Sequence, residues 1–218
     1  MVTSTVTIDH IRLGDRPLVV CDVDEVVLEF LTPFREFLNS RGHDLLPRSF
    51  RLHGNIVGLI DGTITDNAVI SALQEDFFAD QEAWQRPALQ AVETLTMLGK
   101  DADVVFLTAM PPRHEATRRR LLDRVGLTFP MVATEEEKGP VVRALHRQRS
   151  LPAVFIDDIS RNLESVRAHA PDTLLLHLMA NAEFRAMAPA LGDGVVSATD
   201  WTHAASLIRA HWMPIAGR

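Results

Sequence analysis

Leu18-Val19-Val20-Cys21-Asp22-Val23-Asp24-Glu25-Val26-Val27 is an apolar run that meets two carboxylates at i and i+2. An uninterrupted apolar run of this length suits a strand buried on both faces of a parallel sheet. Ligands of such sheets bind beyond the carboxyl ends of the strands, where Asp22 and Asp24 fall. Side chains at i and i+2 share a strand face, and a turn leaving the strand can bring them together. Two ionised carboxylates held close repel, so a site that keeps both charged calls for a cation. Mg2+ is the first candidate, as a hard ion that takes oxygen ligands and keeps several waters.

Outward from this stretch the chain alternates strands and helices. Apolar runs at 103–108, 129–133, 153–158, 173–178 and 194–196 read as further strands. Helical periodicity follows most of them, over about 112–125, from Gly139-Pro140, over 160–169 and over 201–212. This rhythm predicts an α/β chain with a doubly wound parallel sheet. Residues 28–85 break it. Leu28 to Leu38 reads as a helix ending near Gly42, and Asp66 N-caps a second helix reaching Phe78. The stretch between them is rich in Gly, Pro, Arg and His. A core of residues 1–27 and 86–218 with a small, mainly helical insertion at 28–85 is therefore expected. Pro87 is read as opening a helix that ends at Gly99, and Val2, Val6, Ile8, Ile11 and Leu13 as a loose N-terminal strand.

The totals narrow the function. With 218 residues there is room for one sizeable core and a small appended domain. A net charge of -7 argues against binding a nucleic-acid polymer, but not against a small anionic substrate in a local basic pocket. Cys21 is the single cysteine, which excludes an intramolecular disulfide and a multi-cysteine zinc site. Nine histidines lie without metal-ligand spacing, so no zinc is expected. No apolar stretch reaches transmembrane length and no signal peptide is visible, so the expectation is a cytoplasmic protein without membrane partners. Monomer and homodimer both stay open.

Polar residues recur where apolar strands stop: Asp22 and Asp24, then Thr108, then Asp157 and Asp158. Lys138 stands just before a helix. Parallel strands would gather all of these on one sheet edge. In the insertion, Arg48, Arg51, His53 and Asn55 surround the loop Gly54 to Gly58, as donors for an anionic substrate or as a solvated loop. Phe77, Phe78 and Trp84 can pack or stack on a base. Arg113 and His114 can reach the site, and Arg118-Arg119-Arg120 reads as one solvated helix face.

These strand ends resemble the four motifs of the haloacid dehalogenase superfamily, whose members are mostly phosphatases. Asp22-Val23-Asp24 resembles the first, Phe106-Leu107-Thr108-Ala109 the second, Lys138 the third and Asp157-Asp158 the fourth. The resemblance implies that Asp22 is a nucleophile forming an aspartyl-phosphate, and that Asp24 protonates the leaving oxygen and then activates water. It implies that Thr108, Ala109 and Lys138 bind the phosphoryl group, while Arg48 and Arg51 stay candidate substrate donors from the insertion on their own composition. Mg2+ would be held by Asp22, the Asp24 carbonyl and Asp158, with Asp157 orienting Lys138 or a metal-bound water. The insertion would be a cap that closes over the site and selects the substrate. It resembles in size the caps of small 5'-nucleotidases, which makes a nucleotide one option for a small phosphorylated substrate.

Glu25 departs from the pattern, because Gly is usual there. It is expected as an outward-facing surface residue, or else as one that selects the leaving group. Other readings are a dehalogenase or phosphonatase and a non-catalytic binding protein. Asp24 argues against the dehalogenase, and Asp22 with Lys138 against the binding protein.

Overall fold

The computed structural model describes residues 6–147 and 149–212. Strand β1 (Leu18–Cys21) is buried along its whole length, as its apolar run requires. Alternation sends Val19 and Cys21 into one hydrophobic layer and Leu18 and Val20 into the other.

The chain then leaves the sheet for a second, smaller body. Helix α1 (Leu31–Ser40) is followed by a hairpin of β2 (His43–Leu45) and β3 (Ile56–Gly58). Helices α2 (Asn67–Ala79) and α3 (Gln81–Trp84) complete it. Asp66 N-caps α2 by accepting from Ala68 N. Phe34 and Phe37 of α1 and Phe77 of α2 form its aromatic core, with Phe34 and Phe77 ring centroids 5.1 Å apart. The hairpin is absent from the sequence expectation: three-residue strands are too short to show alternation.

Entry to and exit from this body run side by side. Leu28 bridges Pro87, Glu29 N donates to Arg86 O and Ala88 N donates to Val27 O. This pairing occupies Pro87, so α4 (Ala91–Leu98) starts one turn later than the sequence suggests.

The alternation then resumes with β4 (Asp103–Thr108), a 3-10 turn at Pro112–His114 and α5 (Glu115–Arg124). Next come β5 (Met131–Ala133), α6 (Lys138–His146), β6 (Ala153–Asp157) and α7 (Ser160–His169). Last are β7 (Leu174–His177), α8 (Ala182–Arg185), β8 (Val195–Ser197) and α9 (Trp201–Trp212). The sheet order is β5-β4-β1-β6-β7-β8, and every pairing is parallel. α4, α5 and α9 cover one face, α6 and α7 the other. The winding direction reverses between β1 and β6, which opens a crevice at their carboxyl ends.

Of the expected N-terminal strand, Val2 lies outside the described residues. Val6, Ile8, Ile11 and Leu13 form no strand and pack as irregular chain on the core. Among the described residues no helix is long and apolar enough to cross a membrane.

Candidate active site

The crevice floor is built by β1, β6 and the first turn of α6. Gly139 sets the height of α6: a Cβ there would lie 2.2 Å from Ser165 O, so only glycine lets α6 settle on α7. Lys138, the first residue of α6, is thereby pushed under the sheet edge and is 1% exposed. Its ammonium lies 2.7 Å from both Asp22 Oδ1 and Asp157 Oδ2. Burial pulls the lysine pKa down, and Asp157 and Asp22 more than reverse that, so the ammonium stays charged.

The four strand-end groups divide their work. Asp157 is fully committed to protein donors: Lys138, the backbone N of Ile159 and the Asn162 amide. Asp158 borders the cavity, and its carboxyl is held well above the usual range by burial and by Asp157 and Asp22. Asp22 is pushed up to about 7, chiefly by burial, with Lys138 opposing and Asp157 and Asp24 assisting. Asp22 Oδ1 has Lys138 beside it but no well-directed hydrogen-bond donor. Asp22, Asp157 and Asp158 each offer an oxygen within 4.8 Å of the others. A buried carboxylate cluster with an undirected oxygen suits a hard divalent cation. The Asp24 side chain stands outside that cluster.

Asp24 is instead an acceptor for a buried network that the sequence reading missed. Arg118, expected on a solvated face, is 0% exposed. Its guanidinium donates to Asp24 Oδ1 at 2.8 Å and Oδ2 at 3.1 Å, and to Gln85 Oε1 at 3.0 Å. It also donates to Gln81 Oε1. Gln85 Nε2 donates to Asp24 Oδ1 at 2.8 Å, and Thr108 Oγ1 lies 3.4 Å from Oδ2. Each Asp24 oxygen thus faces two donors. The expectation failed for a geometric reason: successive helical residues turn by about 100°, so three in a row cannot share a face. Arg118 points inward, Arg119 to the carbonyls of Leu127 and Phe129, and Arg120 outward to Glu82.

Glu25 also corrects its expectation. It is 3% exposed and adopts a left-handed φ of 64°, a conformation that suits glycine. The strain of about 1–3 kcal/mol is offset by its side chain. Oε2 accepts from the backbone N of Phe30 and Leu31 at the start of α1, and Oε1 from Asn181 N. Burial raises its pKa while those three N–H groups pull it back. Glu25 therefore ties α1 of the small body to the loop after β7. Glu25→Ala keeps the strained backbone and loses these bonds, so a loss of about 2–3 kcal/mol is expected in denaturant unfolding.

Above the floor, a cavity of about 570 Å³ separates the core from the small body. Asp22, Asp24, Glu25 and Asp158 lie at its base, with Ala109 beside them. Arg51 lines it and Arg48 does not; both are exposed. Arg113 and His114 do not line it either, because both engage Glu75 of α2. Asn55 is turned inward and holds its own loop through Ser49 and Arg51 carbonyls. Thr108 is buried off the cavity wall; its hydroxyl accepts from Met110 N. Phe77 is core packing, whereas Phe78 reaches the cavity.

No protein-family model matches this sequence, and neither does any curated protein. Solved structures do match in fold. A haloacid dehalogenase-like hydrolase from Xanthomonas campestris aligns with a TM-score of 0.57 at 14% identity, covering 91% of this chain and 92% of that one. One from Streptococcus pneumoniae aligns with a TM-score of 0.56 at 11% identity, covering 91% and 99%. Protein Tyrosine Kinase A of Mycobacterium tuberculosis aligns with a TM-score of 0.55 at 21% identity, covering 89% and 99%.

Proposed function

On the premise that the chain has the haloacid dehalogenase-like fold, we propose that it is a Mg2+-dependent phosphohydrolase working through an aspartyl-phosphate on Asp22. The observation that carries this reading is Lys138, buried and shared at 2.7 Å between Asp22 and Asp157. A dehalogenase has no phosphoryl charge to offset, whereas this floor combines a fixed cation with a carboxylate cluster fit for a second one.

Asp22 and Asp158 would hold Mg2+, which supplies positive charge to the phosphoryl oxygens when bound. Asp157 keeps Lys138 in place through its own bonds to Ile159 N and Asn162. An Asp22 oxygen attacks phosphorus and the ester oxygen departs with its electron pair, taking its proton from Asp24. Water then attacks the same phosphorus, the Asp22–phosphorus bond breaks and Asp24 accepts the water proton at Oδ2. Products are inorganic phosphate and the free alcohol. Whether the resting protein is one chain or two does not enter this chemistry, since every group named lies in a single chain.

Release of phosphate from acetyl phosphate, a substrate small enough to need only the floor, tests the reading. Turnover with Mg2+ and none with chelator is the expected result; metal-independent turnover would overturn it. A pH effect follows from Asp22. Its proton is bound more tightly in the folded chain, about 7 against 3.8, so the metal-free protein loses stability as pH rises between those values. Mg2+ competes with that proton, so its affinity is expected to rise about tenfold from pH 6 to pH 8, read by calorimetry.

A further inference from the structure

His177 is a buried group that the proposed reaction leaves unused. It interrupts the apolar run Leu174-Leu175-Leu176-His177-Leu178 at the end of β7 and is 3% exposed. Its Nδ1 is buried with no hydrogen-bond partner among the described residues. An orphaned buried nitrogen costs free energy that a leucine in the same place would not. Packing alone therefore gives no reason for an imidazole here.

The reason lies on the neighbouring strand, β6. His177 pairs in register with Asp157, and Leu178 N donates to Asp157 O. One residue further, His177 Nε2 stands 3.0 Å from the carbonyl oxygen of Asp158. A carbonyl only accepts, so Nε2 carries a hydrogen and donates it. The N–H of the same peptide unit, on Ile159, donates to Asp157 Oδ1 at 2.8 Å. The planar Asp158–Ile159 peptide is thus held at both of its polar ends, where the chain turns from β6 into α7. A fixed peptide plane fixes the backbone from which the Asp158 side chain springs. That carboxylate borders the cavity and draws no hydrogen bond of its own among the described residues, so its direction depends on this backbone.

We propose, resting on the metal-dependent reading, that His177 is a positioning residue for the divalent cation. By holding the Asp158–Ile159 peptide it aims the Asp158 carboxylate at the Asp22 oxygen with which it would share the ion. His177 is not among the residues whose ligand atoms converge, so it acts through Asp158 and not as a ligand. A ligand already aimed has less freedom to lose when the cation arrives, and the cation binds more tightly.

The test is calorimetric titration of the whole, substrate-free protein with Mg2+. His177→Leu fills similar space without the donor and is expected to weaken binding about 10–100-fold. His177→Gln places an amide N–H near the position of Nε2 and is expected to recover most of that loss. In acetyl phosphate turnover the leucine variant should lose activity at low Mg2+ and regain the wild-type kcat when Mg2+ saturates. A merely structural role would lower kcat at every Mg2+ concentration. A folded leucine variant that binds Mg2+ as tightly as the wild type overturns the proposal. So does equal weakening in the leucine and glutamine variants, which would assign the effect to volume and not to the hydrogen bond. Imidazole 15N shifts of the wild type need no variant to fold: a His177 ring with its only hydrogen on Nδ1 also overturns it. If the wild type itself binds no Mg2+, the metal-dependent reading falls, and this proposal with it.

Discussion

Asp22→Asn is expected to lower phosphate release by about 10³-fold or more, while the folded protein becomes no less stable. The two halves of that expectation come from one observation. Asp22 is buried at the end of β1 against Lys138, with Asp157 and Asp158 close by. In the proposed reaction the carboxylate is the attacking group, and an amide of the same shape cannot form the aspartyl-phosphate. The same carboxylate carries a charge that burial disfavours, which is why its pKa sits near 7. Removing that charge leaves Lys138 its partner Asp157 at 2.7 Å and relieves the crowding among the carboxylates. Phosphate release and denaturant unfolding at pH 8 in chelator check both halves. Activity above about a tenth of wild type would show that another group attacks. A collapse in stability would show that the Asp22–Lys138 pair holds the fold rather than the chemistry.

Arg118→Met is expected to cost about 3–5 kcal/mol of stability. The guanidinium is buried and serves Asp24, Gln81 and Gln85 together. Methionine would leave a carboxylate and two amide oxygens facing an apolar side chain. Arg118→Lys is expected to recover only part of the loss, because an ammonium cannot reproduce the fork that meets both Asp24 oxygens. Adding Asp24→Asn to Arg118→Met should restore part of it as well, since the amide leaves no unpaired charge. Denaturant midpoints of the two singles and the double check this. A loss below about 1 kcal/mol, the range of a solvated pair, would show that water reaches the network.

Arg118 also shows where sequence reading stops. β1, β4 and β6 were legible because each is a nearly unbroken apolar run, and strands covered on both faces need little else. Asp157 and Asp158 stood out because they end such a run, and Lys138 because it stands just before a helix in the order the family resemblance requires. Arg118 lies in a run of three arginines, where composition says solvent. The signal that could have found it is periodic: Arg118, Leu121 and Leu122 stand at i, i+3 and i+4, and all three are buried. Glu25 needed a different clue. Glycine suits its backbone conformation, and a longer residue there must bring its own compensation, here three backbone donors. The hairpin β2–β3 carried no readable period at three residues a strand.

The place of β1 in the sheet has a consequence for how the chain is made. It is made before the other five strands of the sheet, yet it lies between β4 and β6. Asp157 is synthesised 135 residues after Asp22. At about 5–20 residues per second, an apolar strand keeps an open edge for roughly 7–27 s until its second neighbour is made. The α1–α3 body, encoded in between, can bury its own phenylalanines sooner. During synthesis the small body can therefore assemble before the crevice beside it, and β1 is the segment that a ribosome-bound chaperone has most reason to hold.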